Sequence, residues 1–203
     1  MQGVIATESS ISYINGEKGI LSYRGYSIEE LAEKSTFEET AFLLLTGELP
    51  TPDELTKFTK QINARRDLPS GMIDLLKILP KESNPMDVIQ LAVSSLGTFY
   101  PVSFDAEDLK AKKYTKDYYI EVSAGILGSI GSIVAAWNRI KNNKDYIKPD
   151  SNLSYADNFM HMLDDSIEVT PLISRIIDAT LILHAEHTIN ASTFTSMVTS
   201  STL

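Results

Sequence analysis

Near the C-terminal end, "LILHAEHTINASTF" (181–194) places His184 and His187 three residues apart, with Glu186 between them and Asn190 three residues further on. If helix continues through this stretch, steps of three keep His184, His187 and Asn190 near one face. Three kinds of chemistry fit. Two imidazoles so spaced can share a metal ion, but a catalytic zinc takes three protein ligands and an open position. Glu186 falls on a different face, so the third ligand would come from elsewhere. The pair can instead be structural, hydrogen-bonded in the interior. Or the rings and the amide can act as donors to a small carboxylate, which suits a chain that is otherwise acidic.

The element that must carry these groups is the apolar run before them. Residues 172–184 are apolar nearly all round, which predicts a central helix whose end emerges from the core. Arg175 and Asp178 stand three apart on it and read as an internal ion pair. His161, in "NFMHML", reads as structural. Arg24, between aromatics in "YRGY", reads as a stacking or salt-bridge residue ahead of a ligand-binding one.

Ahead of that run, most of the chain reads as helix with well-marked starts. Ser27 with Glu30 and Thr36 with Glu39 fit the capping box, and Ser154 with Asp157 is a weaker one. Pro52, Pro85 and Pro171 stand at first helical positions, where the missing N–H costs nothing. About eight helices joined by short loops predict an all-α domain. The exception is "SSISYINGEKGILSY", where two short runs flank Asn15-Gly16 and predict a β-hairpin with strands at about 10–14 and 19–23. Within 120–140, Gly125, Gly128 and Gly131 recur every third residue. Each weakens a helix by about 1 kcal/mol relative to Ala, so something packs close to that face. Another helix of the same chain or a second subunit would both serve. The polar gap 142–152 is too short to demand a domain boundary, and no internal repeat is present.

The 203 residues are 43% hydrophobic, enough for one domain with a sizeable core. With 18 basic and 27 acidic side chains the net charge is −9, which opposes binding to nucleic acid or an anionic membrane. The absence of cysteine excludes disulfides, thiolate metal sites and a thiol nucleophile. Residues 1–10 lack the parts of a signal peptide, and no apolar run approaches bilayer length. A soluble cytoplasmic protein is the expectation. "GILGSIGS" lacks the strand and the Lys-Ser/Thr of a phosphate loop, and there is no G-x-S-x-G elbow.

"LILHAEHTINASTF" resembles the Leu-His-Ala-Asp-His-x-x-Asn-Ala-Ser-Thr-Phe segment of bacterial and archaeal citrate synthases. "GVIATESSISYINGEKGILSYRGYSIEELA", "TFEETAFLLLTGELPTPDEL", "NPMDVIQLAVSSLG", "GSIGSIVAAWNRIK" and "LSYADNFMHML" resemble further segments, in the family's order and approximate spacing. Two departures are mild: Glu186 stands where the family usually has Asp, and "MLDD" at 162–165 stands where a glycine commonly closes the segment.

The resemblance implies the N-terminal portion of the multi-helical large domain, with the small domain and the C-terminal part absent. It implies oxaloacetate binding by His187, a less certain role in the same region for His184, and Asn190 beside them. It implies condensation of acetyl-CoA with oxaloacetate to citrate and CoA in the tricarboxylic acid cycle, with acetyl-CoA a substrate and no cofactor or metal. It also implies a homodimer through helices at about 85–99 and 117–141. The family's catalytic His, second His and Asp lie beyond residue 203, so no catalytic residue is expected here and the chain alone should be inactive. A 2-methylcitrate synthase fragment and a non-catalytic helical interaction domain are the alternatives.

Overall fold

The computed structural model describes residues 7–100 and 115–201. Residues 1–6, within the stretch read for a leader, and residues 202–203 lie outside the described residues. Nine α-helices and one three-stranded sheet are present among the described residues, in agreement with the all-α expectation. The chain divides into two compact units, Met1–Pro50 with Asp178–Leu203, and Thr51–Ile177. The polar gap 142–152 lies inside the second.

In the first unit, β1 (Ser12–Asn15) and β2 (Ile20–Tyr23) form the antiparallel hairpin, with Asn15 opposite Ile20. The turn works differently from the Asn-Gly expectation. Four residues close it, the positive φ (63°) falls on Gly19, and Asn15 contributes its side chain by accepting the Lys18 N–H. An unexpected third strand, β3 (Tyr26–Ser27), follows a two-residue turn in which Arg24 and Gly25 both have positive φ. That is the backbone a right-twisted hairpin requires. Arg24 neither stacks nor forms a salt bridge among the described residues. Its guanidinium donates to Ser10 Oγ and to the Leu44 carbonyl.

Helix α1 (Ile28–Lys34) starts at Ser27, which accepts the Glu30 N–H. Helix α2 (Phe37–Thr46) starts with the full Thr36/Glu39 capping box and ends on Gly47 at φ 98°. The Asp178 carboxylate accepts the Phe37 N–H at 2.9 Å, satisfying another orphan donor at that helix start.

The second unit holds α3 (Pro52–Asn63), α4 (Ser70–Ile78), α5 (Pro85–Phe99), α6 (Lys116–Lys141) and α7 (Tyr155–Leu163). Helix α6 packs against all four others. Leu68, Met72, Leu76, Val88, Ala92, Leu96, Ile133, Ala136 and Trp137 build the core between them. The glycine row explains the closeness. A Cβ added at Gly128 would lie 2.3 Å from the Ile62 carbonyl oxygen, and at Gly131 3.3 Å from the Tyr155 hydroxyl. Ser129 Oγ donates to the Arg65 carbonyl beside it. The glycine face is therefore occupied within the chain.

Two expectations need correction. Helix α6, at 26 residues, is long and apolar enough by composition to cross a bilayer. Interspersed Gly and Ser hid this from a search for apolar runs. Its Ala124, Ile133, Ala135 and Ala136 are fully buried among the unit's helices, as in a central core helix. Helix α8 (Pro171–Leu183), which spans the division between the units, is not enclosed as its composition suggested. Only Ile182 is buried, while Leu172 is 69% and Ile176 53% exposed. A helix apolar all round needs neighbours on every side, and the described residues supply them on one.

Candidate functional site

Helix α8 stops at Leu183, so the stepwise spacing does not place His184, His187 and Asn190 on one helical face. A short non-helical link replaces it. The link runs from His184 to Asn190, and α9 (Ala191–Ser200) follows. All three predicted site residues are exposed and lie in the first unit.

Each end of the link is fixed by a different device. His184 Nδ1 lies 2.8 Å from the Thr180 carbonyl. A carbonyl only accepts, so Nδ1 carries the proton and Nε2 faces outward. At the far end Asn190 is the N-cap of α9, its Oδ1 accepting the Thr193 N–H at 2.7 Å. The amide nitrogen is the part of Asn190 left for other work. Between them, the Glu186 carboxylate accepts the Thr188 N–H at 2.7 Å. Thr188 has φ of 76°, a conformation that a β-branched residue adopts only under constraint. His187 sits between these two residues, and no hydrogen bond holds its ring among the described residues.

The residue that sequence reasoning missed is Tyr23. It is the one buried residue of the sheet. Its hydroxyl lies 3.1 Å from the Ile182 carbonyl, 3.4 Å from that of Leu183 and 3.0 Å from that of Glu186, and it accepts the Glu186 N–H at 3.2 Å. The first two are among the last four carbonyls of the helix, which lack an α-helical partner; that of Ile182 also accepts the Ala185 N–H. Burial pushes the phenol above its ordinary pKa, the Glu186 backbone hydrogen bond opposes that rise, and the Glu186 charge adds to it. The alternation of the hairpin could have marked Tyr23 as inward-facing. Nothing local could have named partners some 160 residues away.

Among the described residues no three His, Asp or Glu side chains are grouped to hold a metal ion. The arrangement offers instead two outward imidazoles and an amide on a braced link. Such a set can donate hydrogen bonds to an anion, and protonated imidazoles can also attract it electrostatically.

Comparison with known proteins gives a consistent picture. The family model described as "Citrate synthase, C-terminal domain" matches residues 1–203. The citrate synthase of Deinococcus radiodurans is 41% identical over 203 residues, covering 100% of this chain and 52% of that protein. That of Acidithiobacillus ferridurans is 43% identical over 204 residues, with the same shares. The crystal structure of citrate synthase from Pyrobaculum aerophilum matches with a TM-score of 0.85 at 36% identity, covering 98% of this chain and 49% of that one. The chain spans about half the length of the curated relatives it matches.

Proposed function

The chain belongs to the citrate synthase family, and from that premise we propose that it forms the N-terminal portion of the large domain of an enzyme condensing acetyl-CoA with oxaloacetate. The observation that carries this reading is the braced link with outward His184 and His187. In it, His187 donates a hydrogen bond to the bound oxaloacetate. His184, with Nδ1 already committed to Thr180, meets the dicarboxylate through Nε2, which donates when the ring is the imidazolium. Asn190 contributes its amide nitrogen.

The reaction takes a methyl proton from acetyl-CoA, adds the enolate to the oxaloacetate carbonyl and hydrolyses the resulting thioester to citrate and CoA. The three histidines of this chain are His161, His184 and His187, and none stands in the family's acid–base motifs. The 203 residues supply a binding wall and no general acid or base. Each such group contributes about 10²–10⁴-fold, so the chain by itself is inactive, and citrate-forming turnover by it would refute this. No cofactor, metal, nucleic acid or membrane is needed, and the enzyme works in the cytoplasm as part of the tricarboxylic acid cycle.

The protein assembles as a homodimer through α5 and α6. The glycine face is taken, but Tyr119, Val122 and Ile126 form an exposed stripe on α6, and Leu91 is exposed on α5. Sedimentation as a monomer at tens of micromolar would count against this.

The test of the binding role is His187→Gln in the full-length protein that carries this sequence. Oxaloacetate KM should rise by about tenfold or more, as for loss of a hydrogen bond to a charged group. Unchanged affinity would remove His187 from the site. Assay with propionyl-CoA decides whether the acyl donor is that of 2-methylcitrate synthase instead.

A further inference from the structure

We infer that Tyr23 is a positioning residue for dicarboxylate binding: its buried hydroxyl sets where the link carrying His184 and His187 leaves α8. The inference rests on the reading of that link as the oxaloacetate wall.

The geometry is specific. One hydroxyl meets the Ile182 and Leu183 carbonyls at the helix end and both the N–H and the carbonyl of Glu186. It can donate to only one carbonyl at a time while accepting the Glu186 N–H. Helix end and link are thus held to the same atom on the rigid hairpin strand. Glu186 in turn closes the turn through Thr188, whose backbone stands at φ 76°. His187 lies between those two residues, so its ring inherits the position that Tyr23 imposes. The phenyl ring alone could fill the buried space. The hydroxyl is what defines the exit of the link.

The test compares Tyr23→Phe with His187→Gln in the full-length protein. Tyr23→Phe should raise oxaloacetate KM by about 10- to 100-fold, as expected for a binding group displaced by an ångström or less. Maximal turnover should change by less than about threefold, the pattern of lost binding rather than lost chemistry. Amide exchange at Glu186 and Thr188 should accelerate while that of β1 and β2 does not. Placing 4-aminophenylalanine at position 23 returns a donor and should recover most of the affinity. Tyr26→Phe, on the exposed neighbouring strand, should change nothing. If His187→Gln weakens binding but Tyr23→Phe leaves KM unchanged, the positioning role is overturned and the site reading survives. If His187→Gln has no effect, both fall. Should Tyr23→Phe fail to fold, the unmodified protein still decides. Glu186 and Thr188 amides exchanging at unprotected rates would overturn the brace.

Discussion

Helices α6 and α8 are both largely apolar and are enclosed to different degrees, α6 from Ala124 onward and α8 only at Ile182. In α6 the small residues sit where other backbones come near, down to the would-be 2.3 Å contact between a Gly128 Cβ and the Ile62 carbonyl. In α8 the large apolar residues Leu172, Ile176 and Leu183 are exposed, and only Ile182 is enclosed. The continuation is barer still, since α9 buries no residue. Hydrophobicity says that a helix wants neighbours, whereas a row of glycines says that it has them at close range. The two candidate imidazoles stand on the less enclosed side of this contrast, where local hydrogen bonds replace packing.

The strongest way to break the contrast is to cut a side chain on α8. Ile182→Ala should destabilise the protein by about 2–5 kcal/mol, the usual cost of a buried Ile or Leu truncation. Leu172→Ala should stay within about 0.5 kcal/mol, as for an exposed site. Denaturant midpoints of the two variants measure the difference. Equal losses would mean that Leu172 is covered by something in solution. Next in size is Gly128→Ala. The added methyl meets a carbonyl of α3, and overpacking of this kind costs about 1–3 kcal/mol. Gly97→Ala, on α5 with nothing within 4 Å of its Cβ, should instead stabilise by about 0.5–1 kcal/mol through helix propensity. Thermal unfolding of the pair reads the opposite signs.

The third effect probes the packed unit by pH. Burial pushes the Tyr146 phenol up to about 12. A phenol whose folded pKa is raised keeps its full contribution below the unfolded value and loses it as pH climbs through the folded one. Stability should therefore fall between about pH 10 and 12, by on the order of 1–2 kcal/mol. Tyr146→Phe should remove that part of the alkaline slope, as followed by chemical denaturation at each pH.

Local signals in the sequence carried most of the fold. Thr36 with Glu39, and Thr51, Asn84 and Ser154 before their helices, cap as their types and spacing suggest, because a cap is made by residues two or three apart. The hairpin was legible for the same reason, although its turn was not, since Gly19 rather than Gly16 takes the positive φ. The candidate site was legible as a set of residue types and not as a shape. The apolar run placed the end of the helix near His184, and it ends at Leu183, but spacing could not say what path the chain takes through His187. The contacts at the helix end come from a hydroxyl on Tyr23, near the other end of the chain, and a carboxylate on Glu186. Periodicity registers only neighbours along one element, so it could neither find Tyr23 nor foresee that α8 would stay exposed.

The smallest effect sharpens the comparison at its barest point. Helix α9 has no buried residue, so its first turn leans on the Asn190 cap. Asn190→Ala should loosen it by about 1 kcal/mol, visible as faster amide exchange from Thr193 onward with no change in α6. Asn190→Asp keeps the accepting oxygen, adds a charge that the N-terminal end of a helix favours, and should leave α9 intact. It also replaces the amide nitrogen with a second carboxylate oxygen. If that nitrogen meets a dicarboxylate, Asn190→Asp should weaken oxaloacetate binding while the helix holds. If both variants leave binding untouched, Asn190 is a cap and nothing more, and the anion is held by the two histidines.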